Sequence, residues 1–432
     1  MKILLKNGEV VSSDGVEEVD VLIEDGKIVE ILKRGEFEGE AEEIDCLGKM
    51  VLPGFIDAHV HFRDFEQAYK EDWTSGSRAA VAGGVTTVLD MPNNSPPIIT
   101  FDDLENKRKH INGKTYCNYG LYMGANGSNI EDIKKVKNVP AVKIYCAHST
   151  GKMGVSGSAI EQVFKETDKR IVVHAEDEEI VSANTKKYLK ENSDVHVHSK
   201  IRSVEAAVSE VKKVCALSDK YSNALHIAHV STEAELEVIA QHDGVTCEVA
   251  PHHLIISEDD YEYYGNYIRV NPPVRSRQEV FSLWKAVKMG MVDIIATDHA
   301  THTPEEKERP YNEAPSGIPE VETTLPIMMN MVNDEAFYIE EVVAMCCERP
   351  AKIFGIENKG KIEVGYDADI VVVDMEEERK LENENLFTKC GWSPYSGSSF
   401  KGWPVMTFVN GQMVFKDGKI VGKPQGQEAK FI

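Results

Sequence analysis

Two histidines separated by one residue, His59 and His61, are a pair whose type and spacing indicate metal chemistry. They follow an apolar, β-branched run, and residues i and i+2 of a strand point to the same side. Both imidazoles can therefore bind one ion, and imidazole is a common ligand of zinc. The spacing alone is weak evidence, because His196-Val197-His198 repeats it in a stretch that we interpret as a loop. The sequence predicts a metal site at His59 and His61.

Further side chains with ligand chemistry lie in or at the ends of other apolar runs, namely Lys143, His174, His229 and Asp298. Taken singly, each of these histidines is more often a hydrogen-bonded core residue. Asp298 follows a strongly apolar run, and a carboxylate beside a metal ion can both bind it and move protons. His302, on the loop just beyond, is placed for substrate. His226 is three residues before His229, and we expect it to be structural.

Lys143 lies between apolar residues, where a charged amine is costly. Its amine must therefore be neutral, paired or chemically modified. A neutral lysine can react with CO₂ to give a carbamate, whose two oxygens can bridge two cations. The alternative is a lysine that extends from a strand end to solvent or to a glutamate. Position alone leaves both readings open.

Eight short apolar runs alternate with helical patterns in the middle of the chain and must position these side chains. The predicted strands are Val51–Ala58, Val85–Asp90, Tyr116–Met123, Ala141–Cys146, Ile171–Ala175, Leu225–Val230, Val245–Ala250 and Val292–Thr297. Amphipathic segments such as Glu205–Ser218 and Gln278–Met289 separate several of them. This α/β pattern predicts parallel strands, and eight of them favour a closed (β/α)₈ TIM-type barrel. Chemistry in such barrels gathers at the C-terminal strand ends, so we expect the ligands to meet at one mouth.

Both ends of the chain predict β-hairpins. Asp25-Gly26, Asn410-Gly411 and Asp417-Gly418 separate apolar runs, and such dipeptides tolerate the positive φ angles of tight turns. We therefore expect one small β-sandwich domain built from residues 1–50 and 361–432, around a catalytic barrel of residues 51–360. The alternative is two separate β-extensions.

Composition excludes several classes of partner. The chain has 432 residues and a formal net charge of −24, which argues against nucleic acid and anionic membranes as partners. No apolar stretch approaches the roughly 18 residues of a spanning helix, and the N-terminal apolar run is too short for a signal peptide. The eight cysteines include no Cys-x-x-Cys pair. We expect reduced, buried thiols in a cytoplasmic protein with a small-molecule substrate.

Several segments resemble the signatures of dihydroorotases, and they follow one another in the family's order along essentially the whole chain. These segments are Gly54–Arg63, Asp90–Pro97, Thr246–His253, Val270–Arg275 and Thr297–Ala300. Gly365–Ile370 resembles the return strand into the composite β-domain of the wider amidohydrolase superfamily. Two positions depart from the family's usual pattern: Asp64-Phe65 stands where Pro-Gly is frequent, and Thr301 replaces a frequent proline. Neither departure removes a functional side chain, but both concern the shape of loops near the substrate.

The resemblance implies a binuclear zinc site. His59 and His61 would hold one ion, His174 and His229 the other, with Lys143 as a bridging carbamate and Asp298 on the first ion. The resemblance further assigns substrate residues. Arg63, Asn93 and His302 would hold the substrate carboxylate, Asn271 would lie near the ring, and the loop at Gly317 would offer backbone groups to the ring edge.

The activity that the resemblance implies is the reversible cyclisation of N-carbamoyl-L-aspartate to (S)-dihydroorotate and water, a step of de novo pyrimidine (UMP) biosynthesis. A hydroxide bridging the metals would attack the ring amide, and Asp298 would act as the general acid and base. An allantoinase or a dihydropyrimidinase of the hydantoinase type is the alternative on the same scaffold. A non-catalytic amidohydrolase-like scaffold is the second alternative. Association as a homo-oligomer or with a transcarbamoylase is left open.

Overall fold

The computed structural model describes residues 2–147, 153–155, 157–191 and 193–432. The strands, in chain order, are β1 (Lys2–Lys6), β2 (Glu9–Ser12), β3 (Gly15–Glu24), β4 (Lys27–Lys33), β5 (Glu42–Asp45), β6 (Met50–Pro53), β7 (Phe55–His61), β8 (Val85–Asp90), β9 (Asn118–Leu121), β10 (Met123–Gly124), β11 (Val142–Tyr145), β12 (Ile171–His174), β13 (Leu225–Ile227), β14 (Val245–Val249), β15 (Ile294–Ile295), β16 (His299–Ala300), β17 (Ile370–Lys380), β18 (Ser399–Val409), β19 (Gln412–Lys416) and β20 (Lys419–Ile420).

The α-helices are α1 (Trp73–Ala82), α2 (Phe101–Ile111), α3 (Ile130–Lys135), α4 (Ser158–Glu166), α5 (Glu178–Tyr188), α6 (His198–Ile201), α7 (Val204–Tyr221), α8 (Glu233–Ile239), α9 (Pro251–Ile255), α10 (Tyr261–Tyr264), α11 (Arg277–Lys288), α12 (Pro304–Lys307), α13 (Thr324–Asn333), α14 (Ile339–Val343) and α15 (Arg349–Phe354). The two predicted amphipathic segments are α7 and α11. Each begins at a serine, Ser203 or Ser276, whose side chain accepts a hydrogen bond from a backbone N–H of the first turn.

Strands β7 to β16 form a closed parallel barrel. One run of neighbours is β16-β7-β8-β9, and the other is β10-β11-β12-β13-β14-β15. Two of the eight barrel strands are broken, and these breaks join the two runs: β9 and β10 are consecutive pieces of the third strand, and β15 and β16 are pieces of the eighth. The pieces of the eighth strand pair with β14 and with β7, which closes the ring. The predicted (β/α)₈ barrel is confirmed.

The predicted first strand, Val51–Ala58, is in fact parts of two strands in two different sheets. The chain changes sheet at Gly54, whose N–H donates to Asp369 O, whereas the N–H of Phe55 donates to Gly84 O. A Cβ at Gly54 would lie 2.1 Å from Thr86 Oγ1, so only glycine permits this passage. Apolar composition could not reveal the change, because both strands are buried.

The two ends of the chain build a single β unit, as predicted. β6 pairs with β2 from the N-terminal part and with β17 from the C-terminal part. The long strand β3 pairs with β2 along its first half and with β1 and β4 along its second half, so the sheet folds over itself. Apolar side chains from both ends of the sequence pack together between the layers. Two separate β-extensions are therefore excluded.

The predicted hairpin turns have the expected backbone geometry. Asp25, Asn410 and Asp417 have φ angles of 49°, 49° and 45°, and the glycine after each also has positive φ. The eight cysteines are all buried and unpaired. Among the described residues, the helices are too short or too polar to cross a bilayer.

Candidate metal centre

Three predicted ligands meet at the mouth of the barrel. His59 and His61 lie at the end of β7, and Asp298 lies in the break between β15 and β16. One ligand atom from each lies within 4.8 Å of the others. Nε2 of His61 is 2.8 Å from Oδ1 of Asp298, and Nε2 of His59 is 3.3 Å from the same oxygen. The i, i+2 spacing thus places both imidazoles on one side of the strand, facing one carboxylate.

A second pair of imidazoles adjoins this group. His174 ends β12, and His229 follows β13. Nδ1 of His174 lies 3.0 Å from Nε2 of His229, so these two nitrogens point to the same place. The rings of His229 and His59 are 5.2 Å apart. The two histidine pairs therefore form one continuous cluster across the barrel.

Lys143 lies on β11 and is fully buried. Its Nζ has no hydrogen-bond partner in the described part of the chain. Burial lowers the pKa of the amine to about 8, so a neutral amine is accessible near physiological pH. Tyr145, two residues on, lies on the same face of the strand, with its ring centre 5.2 Å from Nζ. A buried, orphaned amine that loses its proton this readily, beside four imidazoles, suits chemical modification or ligand binding better than a solvent-directed lysine.

Hydrogen bonds to polar side chains fix the orientation of three of these imidazoles. Glu248 contacts Nδ1 of His59, and Oδ1 of Asn93 is 2.6 Å from Nδ1 of His61. Oε2 of Glu176 is 2.8 Å from Nε2 of His174. In each case one ring nitrogen is occupied, and the other is left for a metal ion. Hydrogen bonds of this kind select the tautomer and strengthen the ligand.

Sequence reasoning assigned no role to Glu248 and missed Glu176. Both are almost completely buried, and Glu176 also pairs with Arg202. Their positions in the sequence indicate a role. Glu248 lies inside an apolar strand and Glu176 just after a strand-end histidine, and a buried glutamate needs a partner. His226, predicted to be structural, lies 3.1 Å from Oε2 of Glu248 and so contacts the same network.

The electrostatics of the cluster favour the neutral form of three imidazoles, those of His59, His174 and His229. Burial, together with the charge of Lys143, lowers the pKa of His59 to about 4. Burial also lowers the pKa of His174, and that of His229 well below its usual value. Burial raises the pKa of Asp298, but the neighbouring His59 and His61 outweigh this effect and lower it overall. At neutral pH the site therefore offers imidazole lone pairs and a carboxylate, a donor set that suits zinc.

The backbone is strained at two of the predicted ligands. His229 and Asp298 have φ angles of 37° and 52°, in the left-handed region that non-glycine residues rarely adopt. Such residues cost about 1–3 kcal/mol each and cluster at functional sites. Buried Asp57 holds the turn before Asp298, because it accepts hydrogen bonds from Oγ1 of Thr297 at 2.6 Å and from its N–H at 3.1 Å.

The ligands open onto a cleft that also contains most of the predicted substrate residues. Besides the four histidines and Asp298, the cleft is lined by Arg63, Asn93, Tyr145, Asn271, Ala300, Ser316 and Gly317. Arg63 is buried, and its Nε donates to the carbonyl of Thr301 at 3.1 Å. A cation and several amide groups thus line the same cleft as the predicted metal ligands.

His302 occupies a different place from the other predicted substrate residues. It is fully buried behind Arg63, and its Nε2 lies 3.1 Å from Nη2 of Arg63 and 3.0 Å from the carbonyl oxygen of Ser316. Its ring therefore supports residues of the cleft instead of lining it. The loop position of His302 in the sequence gave no sign of this burial.

The second His-x-His pair is split between two environments. His196 is exposed in a short turn of 3-10 helix, whereas His198 begins α6 and is buried. Nε2 of His198 donates to the carbonyl of Val270 at 2.8 Å, and the hydroxyl of Tyr311 lies 2.9 Å from Nδ1. The expected loop is thus helical, because His198 packs into the barrel and anchors the segment that carries Asn271.

Comparison with known proteins agrees with this architecture. The Amidohydrolase family matches residues 50–414. The dihydroorotase of Methanothermobacter thermautotrophicus is 36% identical over 93% of this chain and 92% of that protein. The dihydroorotase of Pyrococcus furiosus is 37% identical over 94% of this chain and 91% of that protein.

Solved structures of similar proteins have the same fold. The L-hydantoinase (dihydropyrimidinase) from Arthrobacter aurescens superposes with a TM-score of 0.96 at 32% identity, covering 99% of both chains. The dihydropyrimidinase from Brevibacillus agri superposes with a TM-score of 0.92 at 25% identity, covering 100% of both chains. The chain therefore belongs to the amidohydrolase family and, within it, to the group of the dihydroorotases.

Proposed function

We propose that this protein is a metal-dependent dihydroorotase, a hydrolase of cyclic amides that interconverts (S)-dihydroorotate and N-carbamoyl-L-aspartate. The observation that carries this proposal is the position of Arg63, which is buried and lines the same cleft as His59, His61 and Asp298. Its guanidinium contacts the Thr301 carbonyl and His302, and no ion pair with a carboxylate is found in the described residues. A buried cation of this kind favours a substrate that brings its own carboxylate. The identity to curated dihydroorotases supports the same assignment.

The residues present fit a pair of zinc ions. His59, His61 and Asp298 would hold one ion, and His174 with His229 would hold the other. The orphaned Nζ of Lys143 supports carbamylation: the neutral amine adds to CO₂, loses a proton and leaves an anion with two oxygens. Zinc supplies Lewis-acid polarisation of a carbonyl and makes water more acidic.

Asp298 is the group that we expect to move the proton. Its carboxylate groups with His59 and His61 in the candidate metal site, 2.8 Å from Nε2 of His61. In hydrolysis, the water oxygen bonds to the ring carbonyl carbon, the C–N bond of the ring breaks, and Asp298 carries the proton from the water to the leaving nitrogen. The same groups run the cyclisation in reverse.

Arg63 and the cleft amides orient the substrate. The guanidinium offers a planar fork to the carboxylate that dihydroorotate carries beside its ring nitrogen. Asn271 and the backbone at Gly317 line the cleft on another side and are suited to the polar edge of the ring. Asn93 holds His61 through its Oδ1, and we propose that its amide N–H₂ contributes to the carboxylate site.

A hydantoinase-type activity is the second candidate, favoured by the TM-score of 0.96 with the Arthrobacter aurescens L-hydantoinase. Measuring which substrates the protein turns over distinguishes the dihydroorotase from the hydantoinase-type activity. We expect zinc-loaded protein to act on dihydroorotate and N-carbamoyl-L-aspartate in preference to dihydrouracil, hydantoin and allantoin. Arg63→Met should raise the KM for dihydroorotate by about 10–100-fold, since it removes a charged hydrogen bond. Preferential turnover of hydantoin or dihydrouracil would favour the alternative, and zinc-free protein without turnover would favour a non-catalytic scaffold.

We further propose that residues 51–360 form the catalytic unit, with residues 1–50 and 361–432 as the composite β unit around it. The buried, unpaired state of the eight cysteines supports a reducing compartment such as the cytoplasm. The substrate in this proposal is a small molecule, and the net charge of −24 supports neither nucleic acid nor an anionic membrane as a partner.

A further inference from the structure

The imidazole of His302 lies between two cationic side chains. Nδ1 is 3.1 Å from Nζ of Lys70, and Nε2 is 3.1 Å from Nη2 of Arg63. Nε2 is also 3.0 Å from the carbonyl oxygen of Ser316. Burial and the charge of Arg63 hold the pKa of His302 well below its usual value, so the ring is neutral and carries one proton.

The position of that single proton follows from the partners. A lysine ammonium can only donate hydrogen bonds, so Nδ1 accepts from Lys70 at 3.1 Å. The carboxylate of Glu306 also faces Nδ1, but its Oε2 is 3.7 Å away, beyond hydrogen-bond distance. The ring proton is then on Nε2, which donates to the Ser316 carbonyl. Arg63 Nη2 is also a donor, and it cannot donate to a nitrogen that already carries a proton. The guanidinium at Nη2 is therefore left for an acceptor that enters the cleft.

Lys70 is itself held in place by a second residue. Its Nζ lies 3.0 Å from Oε1 of Glu306, and both side chains are largely buried. Glu306 also accepts a hydrogen bond from the hydroxyl of Tyr69 at 2.8 Å. Burial lowers the pKa of Lys70, and the ion pair with Glu306 opposes this effect and directs the amine at Nδ1 of His302, so the selection of the tautomer is built into the folded chain.

We propose that Lys70 is a positioning residue for the substrate carboxylate: it selects the Nε2–H tautomer of His302 and so keeps Arg63 Nη2 available to a carboxylate-bearing cyclic amide. This inference rests on the proposed function, because it concerns the carboxylate that separates dihydroorotate from uncharged rings. Without Lys70, the opposite tautomer becomes available. Nε2 would then accept from Arg63 and draw the guanidinium away from the cleft, and the hydrogen bond from Nε2 to the Ser316 carbonyl would be lost.

Steady-state kinetics test this positioning role with three variants. Lys70→Met keeps the length of the side chain but removes the donor, Lys70→Arg restores a donor, and Tyr69→Phe removes another contact of Glu306 without touching His302. We expect Lys70→Met to raise the KM for dihydroorotate about tenfold with kcat within about twofold, a loss typical of one charged hydrogen bond. Lys70→Arg should recover most of this loss, and Tyr69→Phe should match the wild type. The inhibition constant of dihydrouracil, which has no carboxylate, should not change in any variant.

The tautomer can also be observed directly by ¹⁵N NMR of histidine-labelled, zinc-loaded protein, with the His302 signals assigned by their loss in His302→Gln. We expect a protonated Nε2 and a bare Nδ1 in the wild type, and loss of this preference in Lys70→Met. A protonated Nδ1 in the wild type would overturn the inference, as would equal effects of Lys70→Met on dihydroorotate and dihydrouracil. Wild-type protein that binds zinc but does not turn over dihydroorotate would instead contradict the proposed function, and the NMR measurement distinguishes the two failures.

Discussion

Glu248 contacts Nδ1 of His59 with one carboxylate oxygen and lies 3.1 Å from Nε2 of His226 with the other. The oxygen that faces His59 also accepts the backbone N–H of His229 at 3.2 Å. One buried carboxylate on β14 thus contacts the imidazole of His59, in the first histidine pair, and the backbone of His229, in the second. The neighbouring imidazoles outweigh burial and hold the pKa of Glu248 well below its usual range, so it accepts from all three groups.

We expect Glu248→Gln to weaken zinc binding about 10–100-fold, the range found for partners that orient metal ligands. The glutamine side chain has one acceptor oxygen, so it cannot serve His59 and His226 together. Competition with a chromophoric chelator measures the affinity. Glu235→Gln is a matched control, because Glu235 is equally buried but contacts Ser231 and Thr232 instead of a ligand. Equal affinities of Glu248→Gln and the wild type would contradict the role.

Lys143→Ala should lose most of its bound zinc and its activity, because the substitution removes the amine that carries the proposed bridging carbamate. Short carboxylic acids such as acetate or propionate should restore part of both, since they can occupy the space of the missing carbamate. Elemental analysis and turnover with and without the acid are the measurements. Lys134→Ala, which changes a half-exposed lysine on α3, serves as the control. Full zinc content and activity in Lys143→Ala would refute the bridging role.

Asp298→Asn should lower kcat by about 10²–10⁴-fold, the range of general acid–base catalysis, because an amide cannot carry the proton. Zinc content must be measured alongside, since the carboxylate is also a ligand candidate. Asp293→Asn is the control: Asp293 lies just before β15, whereas Asp298 lies after it, and Asp293 accepts the N–H of Cys247 at 2.8 Å. A kcat for Asp298→Asn within a few-fold of the wild type would exclude the proton-transfer role.

The buried imidazole of His198 should make the folded protein less stable in mild acid. Burial, together with the charges of Arg269 and Arg202, lowers the pKa of His198 well below its usual value of 6.5. The unfolded chain therefore takes up a proton as the pH falls through 6.5, whereas the folded chain excludes it. Folding stability should then fall with decreasing pH, by up to about 1.4 kcal/mol per pH unit for this one group.

Urea unfolding at about pH 7.5 and about pH 5.5 tests whether the free energy of unfolding falls with decreasing pH. We expect His198→Gln to be less stable than the wild type at the higher pH. Its free energy of unfolding should, however, fall less than that of the wild type when the pH is lowered. His196→Gln, at the exposed position two residues earlier, should keep the pH dependence of the wild type. The same pH dependence in His198→Gln and the wild type would contradict the assignment.

Much of the fold could be predicted because its signals are local. The run of residues before His59 and His61 is apolar and β-branched, so the i, i+2 spacing implies one face. The Asp25-Gly26 dipeptide favours the positive φ angles of a tight turn, and the amphipathic periodicity of α7 and α11 predicts helices. The order of the strands in the barrel follows from their number and from the helices between them.

The tertiary structure alone decided the features that depend on residues far apart in the chain. The change of sheet at Gly54 arises from the approach of Thr86, and the eighth strand breaks where Asp57 of the first strand binds Thr297. Neither event leaves a trace in local composition, because the segments are buried on both sides of the break.

The sequence by itself determined which side chains are the candidates for the chemistry: His59, His61, Lys143, His174, His229 and Asp298 each stand in or at the end of an apolar run. Only the tertiary structure decided which nitrogen of each imidazole is available, that Glu248 connects the two histidine pairs, and that His302 lies behind Arg63. The physical reason is that a tautomer and a buried contact are set by partners brought together from distant strands, whereas residue type and periodicity are properties of the chain alone.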